Sequence, residues 1–339
     1  LDTTFGSGGK LVTNIQLFNG TDRVALQADG KIVLAGSMRD PSHTTYEFVT
    51  ARYNANGTAD TTFGNGGQVV THVGSDDNVG GVAIDATGRI LIAGWDDENA
   101  GFTNGYYLLR YAANGSLDAD FGSGGVATLA NPAGWRTVSG YVVVGVAVQA
   151  NGQIVVGGNL GDTQQGQEYV TAVRANPDGT LDTGYGDGGW VSTVVGYPGE
   201  AQAMALEPDG RLVLAGYAHA STSSRPVDAA LVRFLASAPQ VGSLTASPNP
   251  ADAGSAVTLT AGGITDGNPG ATVTRVAFSV ESGDGSSTLL GYGTRNADGT
   301  WSFTFSTTGW AAGTYTLLAQ AEDSDGAFGD PAALTLELV

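Results

Sequence analysis

Any chemistry this chain performs has to come from carboxylates. It carries 33 Asp and Glu against three histidines and no cysteine, so thiolate nucleophiles, thiolate metal sites and disulfides are excluded together. His43, His72 and His219 stand far apart and at no metal-ligand spacing, and they read as loop residues. Paired acids for glycoside hydrolysis are the one catalytic arrangement left open, because so many carboxylates form pairs by chance; no motif singles a pair out, and the chain is expected not to be an enzyme. Two acidic runs are more specific. Glu322-Asp-Ser-Asp-Gly326 alternates carboxylates before a glycine, as oxygen-rich calcium loops do. That makes Asp323 and Asp325 the candidate metal ligands and calcium the only cofactor to consider. The run lacks the distant bidentate glutamate of an EF-hand and falls where a turn between strands is due, so a plain turn is the favoured reading. Asp96-Asp97-Glu98-Asn99 follows Trp95 and reads as a solvated loop or, alternatively, a cation or sugar site. With Trp135 and Tyr217 as further stacking platforms, the candidate glycan-binding set is Trp95, Asp96, Asp97, Trp135 and Tyr217.

The elements that position these residues are repeated. Leu1-Asp-Thr-Thr-Phe-Gly-Ser-Gly-Gly9 returns as Ala59-Asp-Thr-Thr-Phe-Gly-Asn-Gly-Gly67, as Leu117-Asp-Ala-Asp-Phe-Gly-Ser-Gly-Gly125 and as Leu181-Asp-Thr-Gly-Tyr-Gly-Asp-Gly-Gly189. A second block keeps the same register: Val24 to Gly36, Val82 to Gly94, Val146 to Gly158 and Met204 to Gly216. Four in-phase copies of a unit this long are the signature of a repeat architecture.

Each repeat reads as four strands. The first follows the double glycine (Lys10 to Thr13 in repeat one). The second and third form a hairpin about a two-residue turn, Asp29-Gly30, Thr87-Gly88, Asn151-Gly152 or Asp209-Gly210, where Asx-Gly supplies the positive φ of a tight turn and Thr87 fits worst. The third strand is an unbroken apolar run such as Ile32-Val-Leu-Ala35, which implies burial on both faces. The fourth alternates, as in Phe48-Val-Thr-Ala-Arg-Tyr53, and reaches a turn at Asn56-Gly57. A four-stranded unit buried on both faces needs neighbours on both sides, which describes a propeller blade. The whole is all-β: four blades over residues 1–236 (1–58, 59–116, 117–180, 181–236), as a small ring or part of a larger one. The well-repeated turns fall at one end of such blades and the long divergent loops at the other, where binding is to be sought.

The pattern Leu-Asp-x-x-Phe-Gly-x-Gly-Gly, then Ala-x-Gln-x-Asp-Gly-Lys-Ile-Val-x-Ala-Gly, then Ala-Arg-Tyr-Asn-x-x-Gly, resembles the delta-60 repeat, a bacterial β-propeller repeat of unknown function. The resemblance covers about two thirds of the chain; repeat four departs most, with Tyr185 for Phe and Glu207-Pro208 before its turn. It implies the propeller fold and a secreted or surface location, and no catalytic residues.

Residues 237–241 read as a linker. Residues 242–339 change rhythm, with candidate strands Leu244 to Ser247, Ala256 to Ala261, Val273 to Val280, Leu289 to Tyr292, Trp301 to Phe305, Tyr315 to Ala321 and Leu334 to Leu338. Seven short strands in about 100 residues suit an immunoglobulin-like sandwich. Ser-Pro-Asn-Pro250 and Ala312 to Ala321 resemble bacterial immunoglobulin-like modules, which serve as stalks and spacers.

The balance of 14 basic against 33 acidic residues, net −19, repels polyanions, so no nucleic acid is expected as partner. Only Lys10 and Lys31 are lysines, and the longest apolar stretch, Tyr141 to Val148, is too short to cross a bilayer. No signal peptide is visible; a chain opening at Leu1 reads as a mature product or a fragment. The expectation is a non-enzymatic bacterial protein of the cell surface or extracellular space, a subunit of a filament or layer whose partners are copies of itself. The alternative is a lectin-like propeller with glycan partners.

One spacing ties the repeats together. Arg52, Arg110 and Arg174 each stand eight residues before a repeat aspartate, Asp60, Asp118 and Asp182. The two are either an ion pair across the turn or separately solvated. Arg233 has no such aspartate after it and Asp2 no arginine before it; a closed ring brings these two together, and an array makes Arg233 meet Asp2 of another chain.

Overall fold

A computed structural model of the chain describes every residue except 14, 16, 40–44, 75, 97–104, 138–141, 163–166, 197, 198, 220–226, 236, 237, 267–271, 283–285, 325–327 and 330. The described residues are all-β, in six antiparallel sheets divided between two compact units. One unit comprises Leu1–Thr183, Gly188–Glu207 and Leu212–Phe234; the other comprises Leu235–Val339 with Gly184–Asp187 and Pro208–Arg211.

The first unit holds four sheets. Sheet one runs β1 (Leu17–Leu26), β2 (Ile32–Arg39), β3 (Tyr46–Tyr53), β4 (Gln68–Thr71). Sheet two runs β5 (Asp77–Ile84), β6 (Ile90–Asp96), β7 (Gly105–Tyr111), β8 (Val126–Ala130). Sheet three adds the short β9 (Trp135–Thr137) to the meander β10 (Val143–Val148), β11 (Ile154–Asp162), β12 (Glu168–Ala175), β13 (Trp190–Thr193). Sheet four has three strands, β14 (Gly199–Leu206), β15 (Leu212–His219) and β16 (Val227–Phe234).

The hairpin turns differ from the two-residue expectation. Gln27 N donates to Lys31 O and Gly30 N donates back to Gln27 O, both at 2.9 Å, which closes a three-residue loop ending on a left-handed glycine (Gly30, φ 82°),. Asp29 Oδ1 accepts from Lys31 N. In the second repeat, where Thr87 replaces the Asx residue, Asp85 takes over, accepting from Thr87 N, Thr87 Oγ1 and Arg89 N at 2.7–3.0 Å.

Strand order also differs from the reading by repeats. The strand after each double glycine joins the sheet before it: Val69 faces Thr50, Ala127 faces Leu108 and Val191 faces Ala172. The cause is the preceding turn. After Asn56-Gly57 the chain doubles back, Asp60 N donating to Arg52 O and Arg52 N to Gly67 O at 2.9 Å each. The glycine-rich segment is thus sewn onto the end of β3 before its own strand begins. Each sheet therefore straddles a repeat boundary. Lys10–Thr13, expected as a strand, has no preceding sheet to join and is not one; Val12 is 94% exposed. Sheet four, expected to be complete, shows no fourth strand among the described residues, for the same reason.

The arginines lock this arrangement. Arg52 Nε donates to Asp60 Oδ2 at 2.8 Å, Nη1 donates to Ala113 O in the next repeat at 2.6 Å, and the guanidinium lies 4.7 Å over the Phe63 ring. Arg110 repeats all three contacts with Asp118, Pro177 O and Phe121. Arg174 Nε donates to Asp182 Oδ2 at 2.7 Å. Thr62's hydroxyl, aided by its amide and by Arg52, holds the Asp60 carboxyl below the usual range against burial. Phe63 and Phe121 are fully buried, each contributing about 2 kcal/mol of apolar burial.

The expected Arg233–Asp2 pair is not formed within the chain. Arg233 Nη2 donates to Glu207 Oε1 at 3.0 Å, and Asp2 accepts from Thr4 N and Oγ1.

Neighbouring sheets touch through β1–β5, β5–β10 and β10–β14. The inner strands β5, β10 and β14 shift register at the same place, Val79/Gly81, Val143/Gly145 and Ala201/Ala203, and the bulge brings backbones close. A Cβ on Gly81 would lie 2.7 Å from Val146 N, so glycine is required there. Ser37 Oγ accepts from Val79 N, and Asn159 exchanges two bonds with the Ala201 backbone.

The second unit has two sheets, β17 (Ser243–Ser247), β18 (Ala256–Gly262), β22 (Trp301–Ser306), β21 (Thr294–Arg295) and β20 (Ser287–Tyr292), β19 (Val273–Glu281), β23 (Gly313–Asp323), β24 (Ala332–Leu338). Their inward residues, Leu244, Val257, Leu259 and Trp301 from one and Val276, Phe278, Leu317 and Leu336 from the other, form a common core.

The clamp sets a stability test. Arg52→Ala leaves Asp60 buried without its partner, which is expected to cost about 3–5 kcal/mol, whereas Arg233→Ala, at an exposed pair, costs at most about 1 kcal/mol. Urea unfolding of both variants checks the contrast; equal losses would contradict the clamp.

Candidate functional site

The antiparallel meanders sort their connections by end. The repeated turns β1–β2, β5–β6, β10–β11 and β14–β15 lie at one end with the glycine-rich segments; the divergent loops lie at the other. Titratable groups gather at the divergent end, in two places.

Between sheets one and two, β5 begins with Asp77, which faces Asp96 at the end of β6. The Asp77 side chain is 0% exposed. Its two oxygens accept from Val73 N and Gly74 N, each at 2.8 Å, and so tie down the link from β4 to β5. Asp96 Oδ1 accepts from Asp76 N at 2.7 Å. His72 Nδ1 stands 3.9 Å from both Asp77 Oδ2 and Glu47 Oε1, so this histidine is not isolated, as its sequence position suggested. Burial pushes the Asp77 carboxyl up to about 6; the two amides and His72 pull the other way, and Asp96 adds to the rise. A carboxylate sealed from solvent with both oxygens bound to backbone is a loop clasp, not a nucleophile or a general acid reaching a substrate.

Between sheets three and four, Glu200 on β14 faces Tyr217 on β15. Burial, a hydrogen bond to Glu200 and the charges of Glu200 and Glu168 push the Tyr217 hydroxyl up to about 12. Burial and Glu200 raise Glu168 as well. His219 stacks edge-on to Tyr217, with centroids 6.0 Å apart. Here two carboxylates approach each other with an aromatic hydroxyl alongside.

The glycan-binding candidates are not brought together. Trp95 is 6% exposed and belongs to the core shared by sheets two and three, because its strand is buried on both faces; it offers no stacking surface. Asp96 is buried at 4% exposure, and Asp97 lies outside the described residues. Trp135 packs on Tyr169, centroids 4.5 Å apart, beside β11, and Tyr217 sits on sheet four. Asp323 closes β23 at 2% exposure, and Asp325 lies outside the described residues. Among the described residues no group of three or more His, Asp or Glu is placed to hold a metal ion. No helix among them is long and apolar enough to cross a membrane. The residues that sequence reasoning passed over, Asp77, Glu47, Glu168 and Glu200, sit at strand starts. Their only signal was adjacency to the divergent loops.

Asp77 predicts a pH signature. Its folded pKa near 6 exceeds the unfolded value, so the native state holds the extra proton and stability declines as pH rises from about 4 to about 6. Asp77→Asn removes this dependence. Its melting temperature relative to the parent is expected to climb across that window by an amount equivalent to at most about 3 kcal/mol, and a flat difference from pH 4 to 7 would refute the buried-acid reading.

No curated protein matches the sequence. Among solved structures, it is similar to an endo-arabinase from Bacteroides thetaiotaomicron VPI-5482 (12% identity over 66% of this chain and 78% of that one, TM-score 0.37). It is similar also to a fucose lectin from Kordia zhangzhouensis (14%, 51% and 96%, TM-score 0.31) and to the Escherichia coli adhesin FdeC (18%, 94% and 96%, TM-score 0.21). What these proteins bind or cleave remains theirs at identities this low. Residues 27–63, 86–121 and 149–185 match the model of a family described as "Domain of unknown function (DUF5122) beta-propeller". Each match runs from the end of an inner strand through the hairpin and the arginine strand to the Phe-Gly or Tyr segment that the arginine clamps. Three segments of the first unit are thus similar to the repeat of that β-propeller family.

Proposed function

We propose that this protein is a non-enzymatic structural component of the cell surface or extracellular space, with four propeller blades as presenting body and an immunoglobulin-like sandwich as spacer. The observation that carries the reading is how the divergent end uses its acids. Asp77 and Asp96, the facing pair between sheets one and two, bind backbone amides instead of opening to solvent. Carboxylates committed this way stabilise loops and leave little for catalysis. The burial of Trp95 weighs against the lectin alternative, which needs exposed aromatic faces.

Two features support the architectural half of the proposal. Sheets one to three each contain a four-stranded antiparallel meander with the apolar middle strands buried, β6 throughout, as blades packed on two sides require. The order β17-β18-β22-β21 against β20-β19-β23-β24 matches the A-B-E-D against C′-C-F-G order expected of an immunoglobulin-type sandwich, which supports that reading. A net charge of −19 suits a surface that must resist nonspecific association.

The test is location together with inactivity. Antibodies against the purified chain are expected to label intact cells of the producing organism as strongly as permeabilised ones, and the protein should release no sugar from a panel of polysaccharides. Polysaccharide turnover that Glu168→Gln or Glu200→Gln abolishes would overturn the proposal, as would labelling seen only after permeabilisation.

A further inference from the structure

We propose that sheet four of one copy receives residues 1–13 of a second copy, with Lys10–Thr13 pairing along β16 as its missing fourth strand and Asp2 taking Arg233. This deepens the structural reading above by naming a partner, and it rests on a seam that the chain already builds three times within itself.

In each internal seam one repeat supplies a strand carrying an arginine, and the next supplies an aspartate, an aromatic ring, and a short strand that pairs alongside. The next repeat's half is preformed at the N-terminus. Gly6 N donates to Asn56 O at 2.9 Å, as Gly64 N does to Asn114 O and Gly122 N to Asp178 O. A Cβ on Gly57 would meet Phe5 at 3.2 Å, as one on Gly115 would meet Phe63 at 3.1 Å. Residues 1–9 are therefore docked on sheet one as their counterparts are docked on sheets two and three. What they lack is the arginine side. Phe63 and Phe121 lie under guanidinium groups and are fully buried; Phe5 has none over it and is only half-buried. Asp60 is buried, whereas Asp2 is exposed.

Sheet four offers the complementary half. Arg52, Arg110 and Arg174 have side chains 5–6% exposed, while that of Arg233 is 56% exposed and, among the described residues, pairs with Glu207 alone. On β16 Leu231 is 75% exposed, where the equivalent Thr50, Leu108 and Ala172 are fully buried. The registers of β3–β4, β7–β8 and β12–β13 superpose on the repeat numbering without a slip. They set Lys10 against Val232, Leu11 against Leu231, Val12 against Ala230 and Thr13 against Ala229. Two exposed leucines, Leu11 and Leu231, thus become a cross-strand pair. Beyond the strand, the outward residues of β1, Val24 at 65% and Leu26 at 70% exposure, occupy positions that sheets two and three keep covered. A neighbouring sheet four would cover them too.

Addition of a strand to an open sheet edge is a general recognition mode, in which main-chain bonds give affinity and side-chain pockets give register. Here the register is specified by three independent residues, Asp2, Phe5 and Leu11. Because each copy has both halves at opposite ends of the sheet series, the contact is heterologous: it closes into a ring or propagates as a filament.

The chain has no cysteine, so a cysteine pair reads the contact directly. In the full chain carrying Val12→Cys and Ala230→Cys, mild oxidation is expected to yield covalent dimers and higher species on a non-reducing gel. Val12→Cys with Val232→Cys, out of register, should yield few. Adding Arg233→Glu should cut the ladder about tenfold, the equivalent of one charged contact, and Asp2→Arg on top of it should restore the yield. Unsubstituted protein should show a mass in sedimentation that rises with concentration. A cross-linked monomer migrating faster than the parent would mean ring closure within one chain and overturn the second-copy proposal. So would equal ladders from both cysteine pairs, or a mass that stays monomeric at every concentration. These readouts need no cells or substrates, so the interface can fail while the surface role stands, and the reverse.

Discussion

A guanidinium buried almost completely inside a β-sheet protein cannot keep its hydration, so the chain must supply a carboxylate wherever such a residue is placed. Arg52, Arg110 and Arg174 are in that position, and Asp60, Asp118 and Asp182 answer them. Much else follows from meeting this demand. To present the aspartate, the chain has to reverse at Asn56-Gly57 and its equivalents and lie back along the strand it has just left. That reversal delivers the glycine-rich segment to the sheet end and launches the following strand into the old sheet before a new one starts. The same arginine then reaches a carbonyl of the next repeat, Ala113 O or Pro177 O, so one side chain closes a turn and joins two sheets.

Glycine content follows from the same geometry. With segments folded back this tightly, Gly115 has Gly64 N and the Phe63 ring where a Cβ would go, and Gly179 has the Phe121 ring at 3.0 Å. Positive φ at Gly57, Gly115 and Gly179 adds a second reason,. The bulge glycines on the inner strands act differently: they let one sheet's backbone approach the next. Close backbone packing between sheets, and not turns alone, thus accounts for part of the 53 glycines.

The divergent end obeys another constraint. Its loops vary from repeat to repeat, so no recurring arginine answers the acids there, and backbone amides and hydroxyls do so instead. Asp77 binds two amides and Asp96 one. The cost appears as the raised Asp77 pKa, because amides stabilise the carboxylate less than a paired guanidinium would at this depth. The Glu168–Glu200–Tyr217 group is less enclosed and keeps its charge nearer to solvent, which makes it the chemically freer part of the end.

The repeat phase, the all-β class, the hairpin positions, the seven main strands of the second unit and the eight-residue Arg-to-Asp spacing were all readable from residue types, since each is local: alternation, Asx-Gly turns and short separations along the chain. The sorting of conserved turns and variable loops to opposite ends was readable too, because it follows from meander connectivity alone. Three things were not. The sheet to which the strand after Gly66-Gly67 belongs depends on which partner offers open hydrogen bonds, and that is set by the Arg52–Gly67 and Asp60–Arg52 contacts in space. The burial of Trp95 depends on sheet three packing over sheet two; in the sequence it stands beside acidic residues and looks exposed. The proximity of His72 to Asp77 and Glu47 arises where β3 and the segment after β4 of sheet one meet β5 of sheet two. Sequence determined the unit that repeats and the pairs that close it; tertiary structure alone decided which sheet each strand completes, because edge pairing is a contest among partners that no single repeat contains.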